Sequence, residues 1–122
     1  MGFAYEMPFK NITLTKPAAL DLSAARYRFV TVDANGDIAL AGAGTTPVGV
    51  LQQPGEKDKG PMDLPVMVAG ISFAELGGTV AIGDDVSIGA DGVAIKTVAP
   101  AVIVGKCMIG GAVGDVGSVL LK

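Results

Sequence analysis

The sequence predicts an all-β fold: a small β-barrel or β-sandwich of short antiparallel strands with an extended N-terminal arm. Three observations carry that expectation. Short runs rich in valine and isoleucine recur roughly every ten residues. Glycines, 18 in a chain of 122, cut the sequence into those runs. Helix signals are nearly absent, and only residues 18–25, rich in alanine, could make a turn or two.

Residues 1–19 read as the arm and residues 20–122 as a single β-rich domain. The arm holds Phe3, Tyr5 and Phe9, half of the aromatics in a chain with Phe 4 and Tyr 2, together with Pro8 and Pro17. No helical or strand period organises it. Sixteen residues fully stretched would reach ~50 Å. A frayed terminus is the alternative, but disordered tails are usually poor in aromatics. The expectation is an arm that lies on something.

From residue 20 onward the strands follow one another. Arg26-Tyr27-Arg28-Phe29-Val30-Thr31-Val32 is rich in β-branched and aromatic residues. It runs into Ala34-Asn35-Gly36-Asp37, and Asn-Gly is the strongest short hairpin signal because both residues tolerate positive φ. Ile38-Ala39-Leu40-Ala41 returns antiparallel, and Val48-Gly49-Val50-Leu51 follows a small-residue turn. Residues 52–63 are polar and punctuated by Pro54, Gly55, Gly60 and Pro61, which marks a surface loop. Two apolar runs, 64–69 and 71–74, flank Gly70, and Leu76-Gly77-Gly78 turns the chain into a run at 80–82. Residues 84–88 and 93–96 flank Gly89-Ala90-Asp91-Gly92, a second tight hairpin, and 101–109 with 116–121 form the last pair. Pro47 and Pro65 belong at strand starts or edges, since proline cannot donate to a ladder.

Composition narrows the function. There is no histidine, which removes the Ser-His and Cys-His nucleophile pairs, the imidazole base and the imidazole metal ligand. No enzyme, cofactor or metal site is expected. Hydrophobic residues are 50% of the chain and charged ones 17%, against about 25% in an ordinary soluble domain. A domain of this size cannot hide so much apolar surface alone, so oligomerisation is expected. Net charge is −3, with no basic face, so nucleic acid is not an expected partner. No apolar run approaches the ~20 residues that span a bilayer, and no secretory signal opens the chain, so no membrane partner is expected. Cys107 is the lone cysteine, set in an apolar stretch, and reads as a buried small hydrophobe suited to a reducing cytosol.

Motifs that would carry chemistry fail on spacing. Gly105-Lys106 lacks both the earlier glycine of a phosphate loop, where Pro100 stands, and the following Ser or Thr, where Cys107 stands. Asp33-Ala34-Asn35-Gly36-Asp37 has glycine at the wrong place for a calcium loop and reads as a hairpin turn. Asp84 and Asp85 are adjacent on a strand and so point to opposite faces, not at one substrate bond. Gly83-Asp84-Asp85-Val86 and Gly114-Asp115-Val116 look like one turn type used twice before a strand.

The order of five segments resembles the small capsid cement, or head decoration, proteins of tailed bacteriophages. They are Arg28-Phe29-Val30, Gly49-Val50-Leu51, Val66-Met67-Val68-Ala69-Gly70, Gly83-Asp84-Asp85-Val86 and Gly114-Asp115-Val116. The likeness covers about residues 20–122. It implies a β-rich body that clusters, typically as a homotrimer, on the outer surface of the expanded phage head. There it would bridge neighbouring major capsid proteins against internal DNA pressure. The partners so implied are the major capsid protein and further copies of the chain; the place is the virion, after synthesis in the bacterial cytoplasm.

Within that frame, Phe3, Tyr5, Met7, Phe9 and Lys10 are the candidate capsid or oligomer interface, because buried aromatics dominate interface energies. A different reading is a small β-barrel ligand- or glycan-binding module of a phage tail or fibre. Sparse aromatics and the absence of tryptophan count against sugar stacking.

Overall fold

A computed structural model describes residues 7–16, 26–52, 62–98 and 102–121; for 7–16, 62 and 63 it is the backbone that is described. Among the described residues, nine strands form one antiparallel sheet: β1 (Met7–Lys16), β2 (Phe29–Val32), β3 (Ile38–Leu40), β4 (Gly49–Leu51), β5 (Met62–Glu75), β6 (Asp85–Ile88), β7 (Ala94–Lys96), β8 (Gly105–Ile109) and β9 (Val116–Leu121). The fold is all-β, a curled half-barrel, and its one helical feature among the described residues is a 3-10 turn at Ala90–Gly92. The order is β3-β2-β4-β5-β9-β8-β6-β7, with β1 paired to β5 outside that path.

Strand β5 organises everything else. Its residues 62–71 pair with β1, from Lys16↔Met62 to Met7↔Ile71, and on the other edge Val66 and Met67 pair with β4 through Leu51↔Val66 and Val50↔Met67. Its second half pairs with β9, from Ile71↔Leu120 to Glu75↔Val116. The strand is sharply bent. Gln52 donates its backbone N–H to the Pro65 carbonyl, while its side-chain amide donates to Ser72 Oγ at 3.1 Å. Seven residues of straight strand would span about 23 Å, far beyond one glutamine side chain. Gly70, at φ 104, lies between the two contacts in a conformation other residues rarely adopt.

This bend answers the expectation of two runs flanking Gly70: they are one strand of 14 residues, with the glycine inside it. Pro65 also lies inside the strand, opposite Thr13, and serves β4's end as an acceptor only. The run at 80–82 is an isolated bridge, Val80↔Gly111, and not a strand, since Ile82 already belongs to a turn. The expected hairpins are present. Val32↔Ile38 and Ile88↔Ala94 close the two tight turns, and β8 pairs with β9.

The arm residues contain a strand that the sequence reading did not find. Apolar residues alternate at Met7 and Phe9, then at Ile12 and Leu14, so the second pair is one residue out of phase with the first. The register of β1 on β5 shifts between Pro8 and Lys10 and again between Lys10 and Asn11. The irregularity that breaks the sequence period is the one that keeps the pairing in step.

Two apolar clusters fill the interior. The first gathers Phe29, Val50, Ala74, Leu76, Val86, Ile88, Cys107 and Val119; the second gathers Val30, Ile38, Leu51, Leu64 and Val66. Consecutive residues of β2 and β4 therefore serve different clusters, which is possible only because both faces of these strands are covered. That is why they read as continuous apolar runs and not as alternations.

Candidate interaction surfaces

Between Val48, Val68, Ile103 and Leu121 the surface dips into a cleft of about 220 Å³. Across Leu121 a second groove, about 300 Å³, runs between Ile103, Gly105 and Leu120 toward Asp85 and Lys106. The two share Ile103 and Leu121, and so form one apolar furrow along the end of β9. Its position follows from register. Asp85↔Lys106, Lys106↔Leu120 and Leu120↔Ile71 are direct cross-strand partners, so one row crosses the sheet from an ion pair to aliphatic residues. Lys106 Nζ stands 3.3 Å from Asp85 Oδ1 with both side chains about half exposed, a pairing that marks the polar end of the furrow more than it stabilises it. Val48, Val102 and Leu120 remain 37–43% exposed around it. The furrow can hold apolar side chains of a partner; it presents no array of polar groups to orient a reactive one.

A second feature repeats. Ala81-Ile82-Gly83-Asp84 and Ala112-Val113-Gly114-Asp115 are the same turn. In each, the aspartate N–H donates to the alanine carbonyl and the aspartate Oδ2 accepts the alanine N–H, at 2.9 and 2.8 Å. Gly83 and Gly114 take φ 88 and 86, as a type II turn requires at its third position. The second position of each turn carries an aliphatic side chain into solvent, Ile82 at 69% exposure and Val113 at 72%. The carboxylates of Asp84 and Asp115 thus fix backbone.

The interior polar groups are spoken for. Ser87 Oγ contacts Thr97 Oγ1 at 2.7 Å and the Val102 carbonyl at 2.6 Å. Among the described residues, no buried side-chain nitrogen or oxygen lacks a partner, and no group of three or more Cys, Asp or Glu is placed to hold a metal ion. Cys107 is fully buried, and that burial, followed by the nearby Asp84 charge, pushes its thiol pKa up. No helix is long and apolar enough to cross a membrane.

Of the five arm residues expected at an interface, Phe3 and Tyr5 lie outside the described residues, as does the stretch 17–25 with its expected helical turn. Met7, Phe9 and Lys10 lie in β1, whose backbone pairs with β5 of the same chain. Sequence reasoning missed the furrow, because its walls come from segments far apart along the chain. The turn used twice, before β6 and before β9, is as the sequence predicts; the exposed aliphatic tips at Ile82 and Val113 were not read from it.

These features define a class of protein: a curled all-β half-barrel with apolar residues on its outer face. No family profile matches the chain, and no curated protein does. Among solved structures, it is similar to the crystal structure of the head fibre gp8.5 N base of bacteriophage phi29. The match has a TM-score of 0.79 at 19% identity and covers 93% of this chain and 95% of that one. At this identity the likeness is one of fold.

Proposed function

We propose that the chain is a structural protein of a phage head, a decoration or cement protein that binds the outer surface of the expanded shell as a homotrimer. The observation that carries the reading is the shared fold with a head fibre base over nearly the whole of both chains. The sequence resemblance to capsid cement proteins points to the same surface from independent residues. The furrow, the two turn tips and the segment that carries Phe3 and Tyr5 supply apolar contact area for copies of the chain and for the major capsid protein. Three modest contacts on one body bind far more tightly than one, because the second and third become intramolecular. Binding only the assembled shell then stabilises that shell by linkage.

The deciding experiment is co-sedimentation of the purified protein with undecorated phage heads, immature and expanded. Saturable binding to expanded heads alone, near one copy per capsid subunit, is the expected result. No binding to either form would overturn the reading and favour a ligand- or glycan-binding module of a tail or fibre.

A further inference from the structure

The hairpin between β2 and β3 carries chemistry that capsid binding does not use. Asn35 is exposed and is followed by Gly36, which has open space where a Cβ would stand. Gly36 thus brings no side chain of its own to hinder its backbone nitrogen from reaching the Asn35 carboxamide carbon. That nitrogen is not free in the closed turn. Its N–H donates to the Asp33 carbonyl at 3.0 Å, and the Asp33 N–H donates to the Asp37 carbonyl at 2.9 Å. The Asp33 carboxylate adds a second clasp: its Oδ1 accepts the N–H of Asn35 and of Asp37, both at 3.0 Å.

We propose that Asn35 is a self-modification site, converted to aspartate and isoaspartate through a cyclic imide with Gly36, and that Asp33 sets the rate by holding the turn closed. When the hairpin opens, hydroxide takes the Gly36 N–H proton and the nitrogen attacks Asn35 Cγ. The new C–N bond closes a five-membered imide, and the amide nitrogen leaves as ammonia with a proton from water. Water then opens the imide at either carbonyl. The sum is asparagine plus water giving a carboxylate plus ammonium, the ammonia taking up the proton released when the imide opens, with no change of oxidation state.

Either product disturbs this turn. Aspartate puts a third carboxylate beside Asp33 and Asp37. Isoaspartate adds a backbone carbon to a hairpin whose register places Ile38, fully buried in the second cluster, opposite Val32. The proposal stands independently of the capsid reading.

The test is incubation of the full-length protein in warm, mildly alkaline buffer. Enzymatic methylation of isoaspartate and mass spectrometry of the peptide spanning residue 35 follow the reaction, with a free peptide of residues 32–38 as the unclasped reference. The native protein is expected to react at roughly a tenth of the peptide rate or less, the suppression that one or two charge-assisted hydrogen bonds impose on local opening. Asp33→Ala should recover most of that factor. Asp33→Asn, which keeps an acceptor oxygen, should remain slow, and this separates the clasp from general unfolding. A native rate equal to the peptide's, an Asp33→Ala rate equal to the native one, or equal rates for the Ala and Asn variants would overturn the proposal.

Discussion

A methyl group placed on Gly110 would sit 2.0 Å from the Val80 carbonyl oxygen, which is itself held by the Gly111 N–H. Backbone meets backbone there, so no side chain can swing aside. Gly110→Ala should cost about 2–3 kcal/mol, read as a fall in the denaturation midpoint without a change in slope. The interior thiol makes a prediction of opposite character. Burial and the Asp84 charge raise the pKa of Cys107, so the folded chain keeps a proton that the unfolded chain releases. Stability is therefore unaffected below the thiol's ordinary ionisation range and falls as pH climbs through and above it. In Cys107→Ala that alkaline loss should be smaller; an unchanged pH profile would exclude the thiol as its source. The single cysteine and its apolar neighbours were legible in the sequence as a buried site. The clash at Gly110 was not, because Val80 is thirty residues away and only the fold makes them neighbours.

At the scale of elements, the bend of β5 is the feature most exposed to test. Gly70 holds φ 104, and its neighbourhood ties β1, β4 and β9 to one strand. Gly70→Ala should destabilise by about 1–3 kcal/mol, the usual cost of forcing a side chain into such a conformation. Thermal unfolding checks this; an unchanged melting temperature would mean that the strand bends elsewhere. The second half of β5 is also held from outside its own ladder. Glu75 donates its N–H to the Tyr27 carbonyl and its carboxylate receives both Nε and Nη2 of Arg28, while the Tyr27 and Phe73 rings meet edge to face at 5.2 Å. Hairpins with Asn-Gly and Asp-Gly turns were readable because the turn chemistry is local. The bend, the β1 strand and the role of Arg28 were not. Each depends on which distant segment arrives, and in β1 the apolar alternation changes phase where the register shifts.

For the whole molecule, the capsid reading makes a prediction about the aromatics that precede β1. Because the β1 backbone already pairs with β5, deleting it would bare a strand edge and confuse lost contacts with lost solubility. Phe3→Ala with Tyr5→Ala changes no residue of the described ladder, Met7–Lys16. This double variant should keep the wild-type far-ultraviolet spectrum and sedimentation coefficient while losing at least tenfold in affinity for expanded heads, the loss expected of one removed anchor. Unimpaired binding would move the interface to the furrow and the turn tips. The composition foretold the all-β class and an excess of apolar surface, but not where that surface lies. The furrow is assembled from the neighbourhoods of Val48, Val68, Ile103 and Leu121, which only the closed sheet brings together. The arrangement of β5 also bears on how the chain comes to be made. Its early partner, β1, has been synthesised long before it, whereas its late partner, β9, follows roughly forty residues after Glu75. On a ribosome the second half of β5 must wait with an unpaired edge until β9 emerges, and non-local pairings of this kind are slow. A nascent chain stalled before residue 116 should therefore remain open to protease at β5, and the finished domain should close in a single late step.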